Sequence, residues 1–524
     1  MSAPKVVIVG SGPIGASYAR EILEGHPTAE VLMLELGPQL TERPGLSVKN
    51  ISDDEARAKA RTMSQGPQAD EITRAKLGLP YLQEGTLTAR QGTHFIDFGG
   101  SGSGHSDGMP MASVSTNVGG QGAHWTCATP RPFDSEKMDF IPEDEWETLI
   151  TRGEELLRVN KTPFTKSRVG VAIKDQLTET FADVFKADRQ PYFLPVSAIE
   201  REDGTMHWGG TDFVLDPMID PANPISKRFT LRPLSFVTKV RIENGKAVGV
   251  DYQDAVSGEQ FFAAADAVVV AADAMRTPQL LWNSGVRPEA LGRYLTEHPV
   301  MFSVIALDAA KFGGKLTEED LVAEREMAAL SPNDPISAVT RIPFQEPNHP
   351  FSAQLMFVTK TPMPLADDNP YKDNPAGYVM AGWGGRKFPR AEDRVWFDDN
   401  ELDYRGLPNI NIKYEITQRE LDEMEEAKKQ MHRAADALGA FIPGVGEPRL
   451  MPNGTSLHYM GTHRIGPKND GTSVCDSYSR VWDYENLYTG GNGCIPTANA
   501  MNPTLTSVSI AVRGARKLVE SLSN

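Results

Sequence analysis

The segment Val6-Val7-Ile8-Val9-Gly10-Ser11-Gly12-Pro13-Ile14-Gly15 constrains the chain most. An apolar β-branched run meets Gly-x-Gly-x-x-Gly, so strand, tight turn and helix must follow one another directly. Gly10 permits the turn, Gly12 lets backbone approach a pyrophosphate, and Gly15 lets the helix lie close on its strand. The helix N-terminus then turns its partial positive charge toward the phosphates. A second apolar run, Glu30-Val31-Leu32-Met33-Leu34-Glu35, ends in an acid 20 residues past Gly15. That acid is placed to hydrogen-bond a ribose 2′-hydroxyl. A glycine turn in some other α/β protein is the alternative, and the second strand with its acid argues against it.

The 524 residues suffice for two packed domains. The 40% hydrophobic and 23% charged content is that of an ordinary globular chain. A net charge of −17 argues against nucleic acid and anionic membrane as partners, and against a heavily phosphorylated substrate. The first apolar run belongs to the nucleotide strand rather than to a signal peptide, and no stretch approaches a membrane span. Cys127, Cys475 and Cys494 are too few and too scattered for a disulfide framework or a zinc site. The expectation is a cytoplasmic protein without a metal.

No internal repeat is visible. Residues 99–108 form a glycine-serine tract that cannot pack a core, read as a mobile loop, either an active-site flap or an inert linker. Residues 266–281 read as a buried parallel strand, a loop and a helix, and Val237 to Val250 as a hairpin turning at Asn244-Gly245. From Ala338 to Ile416 several runs alternate apolar and polar, with Ile410, Ile412, Tyr414 and Ile416 on one strand face, the pattern of an antiparallel sheet. Residues 418–439 read as a helix with Leu421, Met424, Met431 and Leu438 along a packing stripe. The expected fold is therefore α/β. A Rossmann-like dinucleotide domain with a mixed sheet takes 1–150, 226–300 and 450–524. An α+β substrate domain, built on an antiparallel sheet with helices, takes 151–225 and 301–449.

The C-terminal quarter carries the chemistry. Thr489-Gly490-Gly491-Asn492-Gly493 leads to Asn502-Pro503-Thr504 and a long amphipathic helix in which Val508, Ala511, Val512, Ala515, Leu518 and Val519 are apolar. Pro503 suits the first turn because it has no N–H to lose. Asn502 then lies beside free backbone donors and a positive helix end, which stabilise negative charge.

Taken together these residues resemble a glucose–methanol–choline oxidoreductase, and within that group the pyranose oxidase branch. The resemblance rests on the dinucleotide motif, on Asn117-Val118-Gly119-Gly120-Gln121-Gly122-Ala123-His124-Trp125-Thr126-Cys127-Ala128-Thr129-Pro130, on Leu457 to Arg464, and on the Ile495-Pro496-Thr497 to Asn502-Pro503-Thr504 ending. It spans nearly the whole chain. The chain is about a hundred residues shorter than the fungal pyranose 2-oxidases and lacks their head and arm segments, which is closer to bacterial glycoside 3-oxidases and implies a monomer.

The resemblance implies FAD as cofactor and a pyranose or glycoside as substrate. It implies oxidation of a secondary hydroxyl at C3, with C2 as the alternative, and O2 (giving hydrogen peroxide) or another acceptor such as a quinone. His458 and Asn502 become the catalytic pair. A neutral imidazole accepts the hydroxyl proton, and the carboxamide hydrogen-bonds the same hydroxyl. His463, five residues on, is the rival, read as a turn or cofactor-contact residue; His298 is given no chemistry.

The cofactor contacts implied are Gly10, Gly12, Gly15, Glu35, Asn117, Gly119, Gly120, His124, Trp125, Thr126, Val237, Asn492, Pro503 and Thr504. His124 matches a histidine that bonds covalently to flavin in fungal relatives, and non-covalent FAD is the favoured reading. Gln354 matches a sugar-binding glutamine, and the polar, proline-rich 362–375 reads as a gating loop or a disordered surface loop. Two other readings stand: a pyranose 2-oxidase or sugar dehydrogenase, and a flavin-fold binding protein without catalysis, resembling the GDP-dissociation inhibitors.

Overall fold

The computed structural model describes residues 3–64, 92–96, 106–331, 334, 336–403, 405–500 and 502–523. Most of the glycine-serine tract, 97–105, and position 501 lie outside them.

Two sheets organise the chain. The first holds five strands in the order Phe229–Arg232, Glu30–Leu34, Lys5–Val9, Ala267–Val270, Leu487–Thr489, and every pair is parallel. Its central strands are apolar on both faces, as a sheet covered on both sides requires. Helices Pro13–Gly25 and Thr504–Leu522 pack together beside it, with Glu143–Leu156 against the latter. The antiparallel pairing expected here forms a separate three-stranded sheet, Ser235–Glu243, Lys246–Asp254 and Gln260–Ala264. Its first hairpin turns through Asn244 and Gly245, at φ 51° and 76°. Both values are left-handed, which is why this dipeptide sits there.

The second sheet is antiparallel throughout. Its main path runs Gly439–Phe441, Val300–Leu307, Tyr378–Gly384, Ser352–Val358, Ile336–Ile342, Tyr192–Phe193. One face packs on helices Arg168–Thr180 and Gln418–Leu438 around a core that includes Trp383, Phe357 and Leu355. The helix stripe is Met424, Ala427, Met431, Ala434 and Leu438, with Leu421 half-buried. The opposite face is turned toward the end of the dinucleotide half, and this two-sided strand alternation sets the site.

Three expectations need correction. The alternation of Ile410, Ile412 and Tyr414 is real as burial. However, strand Asn411–Lys413 pairs with Arg394–Trp396 and Ser106–Asp107 in a small separate sheet, packed on Ala274, Met275 and Leu295. Short alternating runs fix a face, not the sheet that receives it. Pro503 stands one residue earlier than expected, capping the helix that begins at Thr504. The segment 362–375 is tied down: the Tyr378 hydroxyl bonds the Tyr371 and Lys372 carbonyls, and Asn374 Nδ2 donates to the Leu307 and Gly377 carbonyls.

Candidate active site

A long cavity of about 270 Å³ starts at the C-terminal ends of the parallel strands. This is where ligands bind in an open α/β sheet. The cavity's far end reaches Asn502, which Gln354 of the antiparallel sheet contacts.

At its near end the strand Lys5–Val9 turns through Gly10 at φ 101°. A Cβ on Gly10 would lie 2.3 Å from the Ala271 carbonyl oxygen, whereas one on Gly12 would meet nothing within 4 Å. Helix Pro13–Gly25 therefore presents a bare N-terminus with no side-chain cap and no acid in its first turn. Its orphan N–H donors face the cavity, which fits a dinucleotide pyrophosphate. Gly15 does not line the cavity; it abuts Gly10, where its own Cβ would lie 2.2 Å from the Gly10 oxygen.

Glu35 lines the wall and also braces the turn. One carboxylate oxygen accepts from Ser11 N at 3.0 Å and Ser11 Oγ at 2.7 Å, the other from Gly37 N at 2.9 Å. Burial raises its pKa against the pull of those donors. Val237 completes this end.

The Asn117–Pro130 segment forms the middle. Gly120, His124, Trp125 and Thr126 line the cavity; Asn117 and Gly119 do not. Asn117 holds the loop by donating to the Val118 and Gly120 carbonyls at 2.8 and 3.2 Å. Gly119 N donates to Ser11 Oγ at 3.0 Å and ties the loop to the nucleotide turn. Trp125 Nε1 donates to the Gly209 carbonyl at 2.8 Å. The His124 ring packs against Gly92. Nε2 is buried without a hydrogen-bond partner, and a Cβ on Gly92 would lie 2.4 Å from Nδ1. Burial, then the Arg61 charge, hold its pKa down to about 3, so the ring is neutral.

The far end holds His458, Asn502, Asn492 and Thr504. Asn492 Oδ1 accepts from Ser507 Oγ at 2.7 Å, fixing it on the first turn of the last helix. Asn502 Nδ2 lies 3.4 Å from His458 Nε2. From the antiparallel sheet, Gln354 Nε2 donates to Asn502 Oδ1, although Gln354 itself is not in the wall. The order of donors matters. With its oxygen engaged by Gln354, the Asn502 amide presents N–H to His458, which makes Nε2 the basic, accepting nitrogen of the ring.

The rival histidine is elsewhere. His463 is fully buried with Nδ1 3.2 Å from Thr462 Oγ1, its ring wedged against Gly493 and its pKa pushed down to about 3 by burial. It does not line the cavity.

Sequence reasoning missed the loop that carries His458. Glu297 is buried, and its carboxylate accepts from Gly454 N at 2.5 Å, Ser456 N at 2.9 Å, Ser456 Oγ at 2.7 Å and Leu457 N at 3.1 Å. Ser456 Oγ in turn accepts from His458 N at 3.2 Å. Leu457 is held at φ 59°. His298 follows in the chain and sets its ring edge-on to His458, with centroids 5.0 Å apart. The signal was an acid-histidine pair next to a proline, Glu297-His298-Pro299, with nothing in its spacing to join it to a loop 157 residues on. Among the described residues no cluster of His, Cys, Asp or Glu could hold a metal, and no helix is long and apolar enough to cross a membrane.

Comparison with known proteins agrees with this architecture. Residues 223–300 and 389–511 match the two family profiles described as GMC oxidoreductase. A C-glycoside 3-oxidase of Microbacterium trichothecenolyticum is 40% identical over 520 residues, covering 99% of this chain and 97% of that one. A pyranose 2-oxidase of Tricholoma matsutake is 31% identical over 553 residues, covering 99% and 94%. The crystal structure of pyridoxine 4-oxidase from Mesorbium loti superposes with a TM-score of 0.63 at 14% identity, over 98% of this chain and 99% of that one, and shares the fold.

The bare helix end, the long cavity and the family profiles define an FAD-dependent oxidoreductase acting on CH–OH groups. By its full-length likeness to these relatives the chain belongs to the GMC oxidoreductase family.

Proposed function

We propose that this enzyme oxidises a secondary hydroxyl of a pyranose or glycoside, at C3, to the keto-sugar. The observation that carries the reading is the relay from Gln354 through Asn502 to His458 at the cavity's far end. It stands in a chain 40% identical to C-glycoside 3-oxidases.

His458 Nε2 takes the hydroxyl proton, and Asn502 steadies the same hydroxyl while Gln354 holds Asn502 in orientation. Bound along the cavity, FAD would supply the acceptor for the hydride leaving the carbon, with O2 (reduced to hydrogen peroxide) or another acceptor as the terminal oxidant. Gly10, Gly12 and the first turn of helix Pro13–Gly25 would hold its pyrophosphate, with Glu35 at the ribose. Gly120, Trp125, Thr126 and Val237 would lie along its length, and Asn492 and Thr504 beside its ring, while Pro503 caps the last helix without lining the cavity. Asn117, Gly119 and Gly15 support these walls from behind. Holding hydroxyl, base and acceptor in one geometry contributes several kcal/mol, on the order of the 7–11 available from orientation.

Non-covalent attachment is part of the proposal: the His124 ring packs against Gly92 and its Nε2 is buried. So are a cytoplasmic location, in which the three buried cysteines stay as thiols, and a monomeric state. The deciding experiment is incubation of the purified protein with glucose and with an aryl C-glucoside, followed by NMR assignment of each ketone. A C3 ketone supports the reading, a C2 ketone makes the enzyme a pyranose 2-oxidase, and absence of any ketone removes it.

A further inference from the structure

Strand Tyr378–Gly384 lies inside the antiparallel sheet, between Val300–Leu307 and Ser352–Val358. Val379, Ala381 and Trp383 are buried in the helix-covered core, while Met380, Gly382 and Gly384 turn the other way and are part exposed. A glycine inside a strand weakens it, by roughly 0.5–1 kcal/mol relative to alanine, so one in an interior strand needs a reason.

Two reasons are usual, a left-handed backbone or a crowded neighbour. Gly384 has the second: a Cβ there would lie 3.2 Å from the Ala500 carbonyl oxygen. Gly382 has neither. Its backbone is ordinary strand, and a Cβ built on it meets no heavy atom within 4 Å. The open space lies on the sheet face that carries Gln354. Gly382 is in register with Gln354, whose amide holds Asn502, which contacts His458. Cross-strand partners share a sheet face about 5 Å apart, so the gap over Gly382 adjoins the catalytic pair.

We infer that Gly382 is a specificity-determining position: its missing side chain leaves room beside Gln354 for the unreacting part of the substrate, the aglycone or a large ring substituent. This rests on the sugar-oxidising reading above. Gln354 sets orientation through Asn502, and the bare floor next to it sets how bulky a glycoside can sit there. Added methylenes in a fitted pocket discriminate by roughly 10–200-fold, so one side chain at 382 is enough to change the preference.

The test is a graded series, Gly382→Ala, Gly382→Val and Gly382→Leu, each purified with its FAD and assayed with glucose and an aryl C-glucoside. The ratio of kcat/KM for the glucoside over glucose falls in order of side-chain volume, about twofold or more at Ala and about tenfold or more at Val and Leu. A ratio that stays flat while wild type oxidises both sugars overturns the inference. So does wild type that takes glucose but excludes the glucoside. If the Val and Leu variants fail to fold, the Ala variant decides, since its methyl enters open space. Wild type that oxidises neither sugar overturns the functional reading instead, and this inference with it.

Discussion

Removing the Glu297 carboxylate should slow the reaction without emptying the cofactor site. The carboxylate receives four hydrogen bonds from residues 454, 456 and 457, just ahead of His458, and holds Leu457 in a left-handed conformation. Burial raises the Glu297 pKa to about 7, so each of these hydrogen bonds contributes the ordinary net value of about 0.5–1.5 kcal/mol. Left-handed backbone costs about 1–2 kcal/mol at a non-glycine residue. In Glu297→Ala the loop loses about 3–5 kcal/mol of restraint while the strain at Leu457 remains, so it relaxes. A displacement of about 1 Å at a reacting group costs on the order of 10²-fold in rate. Glu297→Gln keeps an oxygen for Ser456 and Leu457 but points N–H at the Gly454 N–H, and should lose about tenfold. Glu297 does not line the cavity, so both variants should stay yellow. Anaerobic stopped-flow with glucose, following loss of flavin absorbance, measures the effect. An alanine variant with full FAD and a wild-type rate of reduction would refute the reasoning, as would a glutamine variant slower than the alanine one.

Four further outcomes follow from the same geometry. His458→Ala should keep bound FAD and lose reduction by sugar about 10²-fold or more, measured in the same instrument; near-normal reduction removes His458 as base. Gly10→Ala forces a methyl to 2.3 Å from the Ala271 oxygen at a φ of 101°, so both melting temperature and flavin per chain should drop, and an intact yellow protein would contradict this. Acid precipitation should release all flavin into the supernatant; colour left in the pellet would mean a covalent bond. Glu324, buried against Ser167 and Val169, has its pKa raised from 4.5 to about 7 by burial. The fold favours its protonated form. Its stabilising contribution is thus whole below about pH 4.5 and lost as pH rises through 7. Relative to wild type, Glu324→Gln should gain on the order of 2–3 kcal/mol between pH 5 and pH 8 in denaturant titrations, and an unchanged difference would refute the raised pKa.

Local chemistry was legible in the sequence where one backbone requirement dominates. Gly10 and Gly12, the Asn244-Gly245 turn, the stripe of Met424, Met431 and Leu438, and the buried run Ala267–Val270 each follow from dihedral limits or a single period. The cavity-lining residues His124, Thr126, His458 and Asn502 were named from a family resemblance. Their convergence needs both sheets, and no one-dimensional pattern contains that. The limits showed where partners are distant. Ile410 to Tyr414 alternated correctly but joined another sheet, because pairing is decided by whichever edge is available. Glu297 was invisible because a buried acid is defined by the donors around it, and those arrive from a loop far along the chain.

The Gln354–Asn502 contact has a consequence for assembly. One amide stands on the antiparallel sheet, the other beside the last helix of the dinucleotide half, and neither half supplies both. A molecule in which the halves dock slightly out of place would still bind its pigment on the proposed reading, in which Gly10, Gly12 and helix Pro13–Gly25, all beside the first sheet, hold the pyrophosphate. It would nonetheless stay silent toward sugar. Colour therefore certifies that one half has matured, and turnover certifies the joint between them.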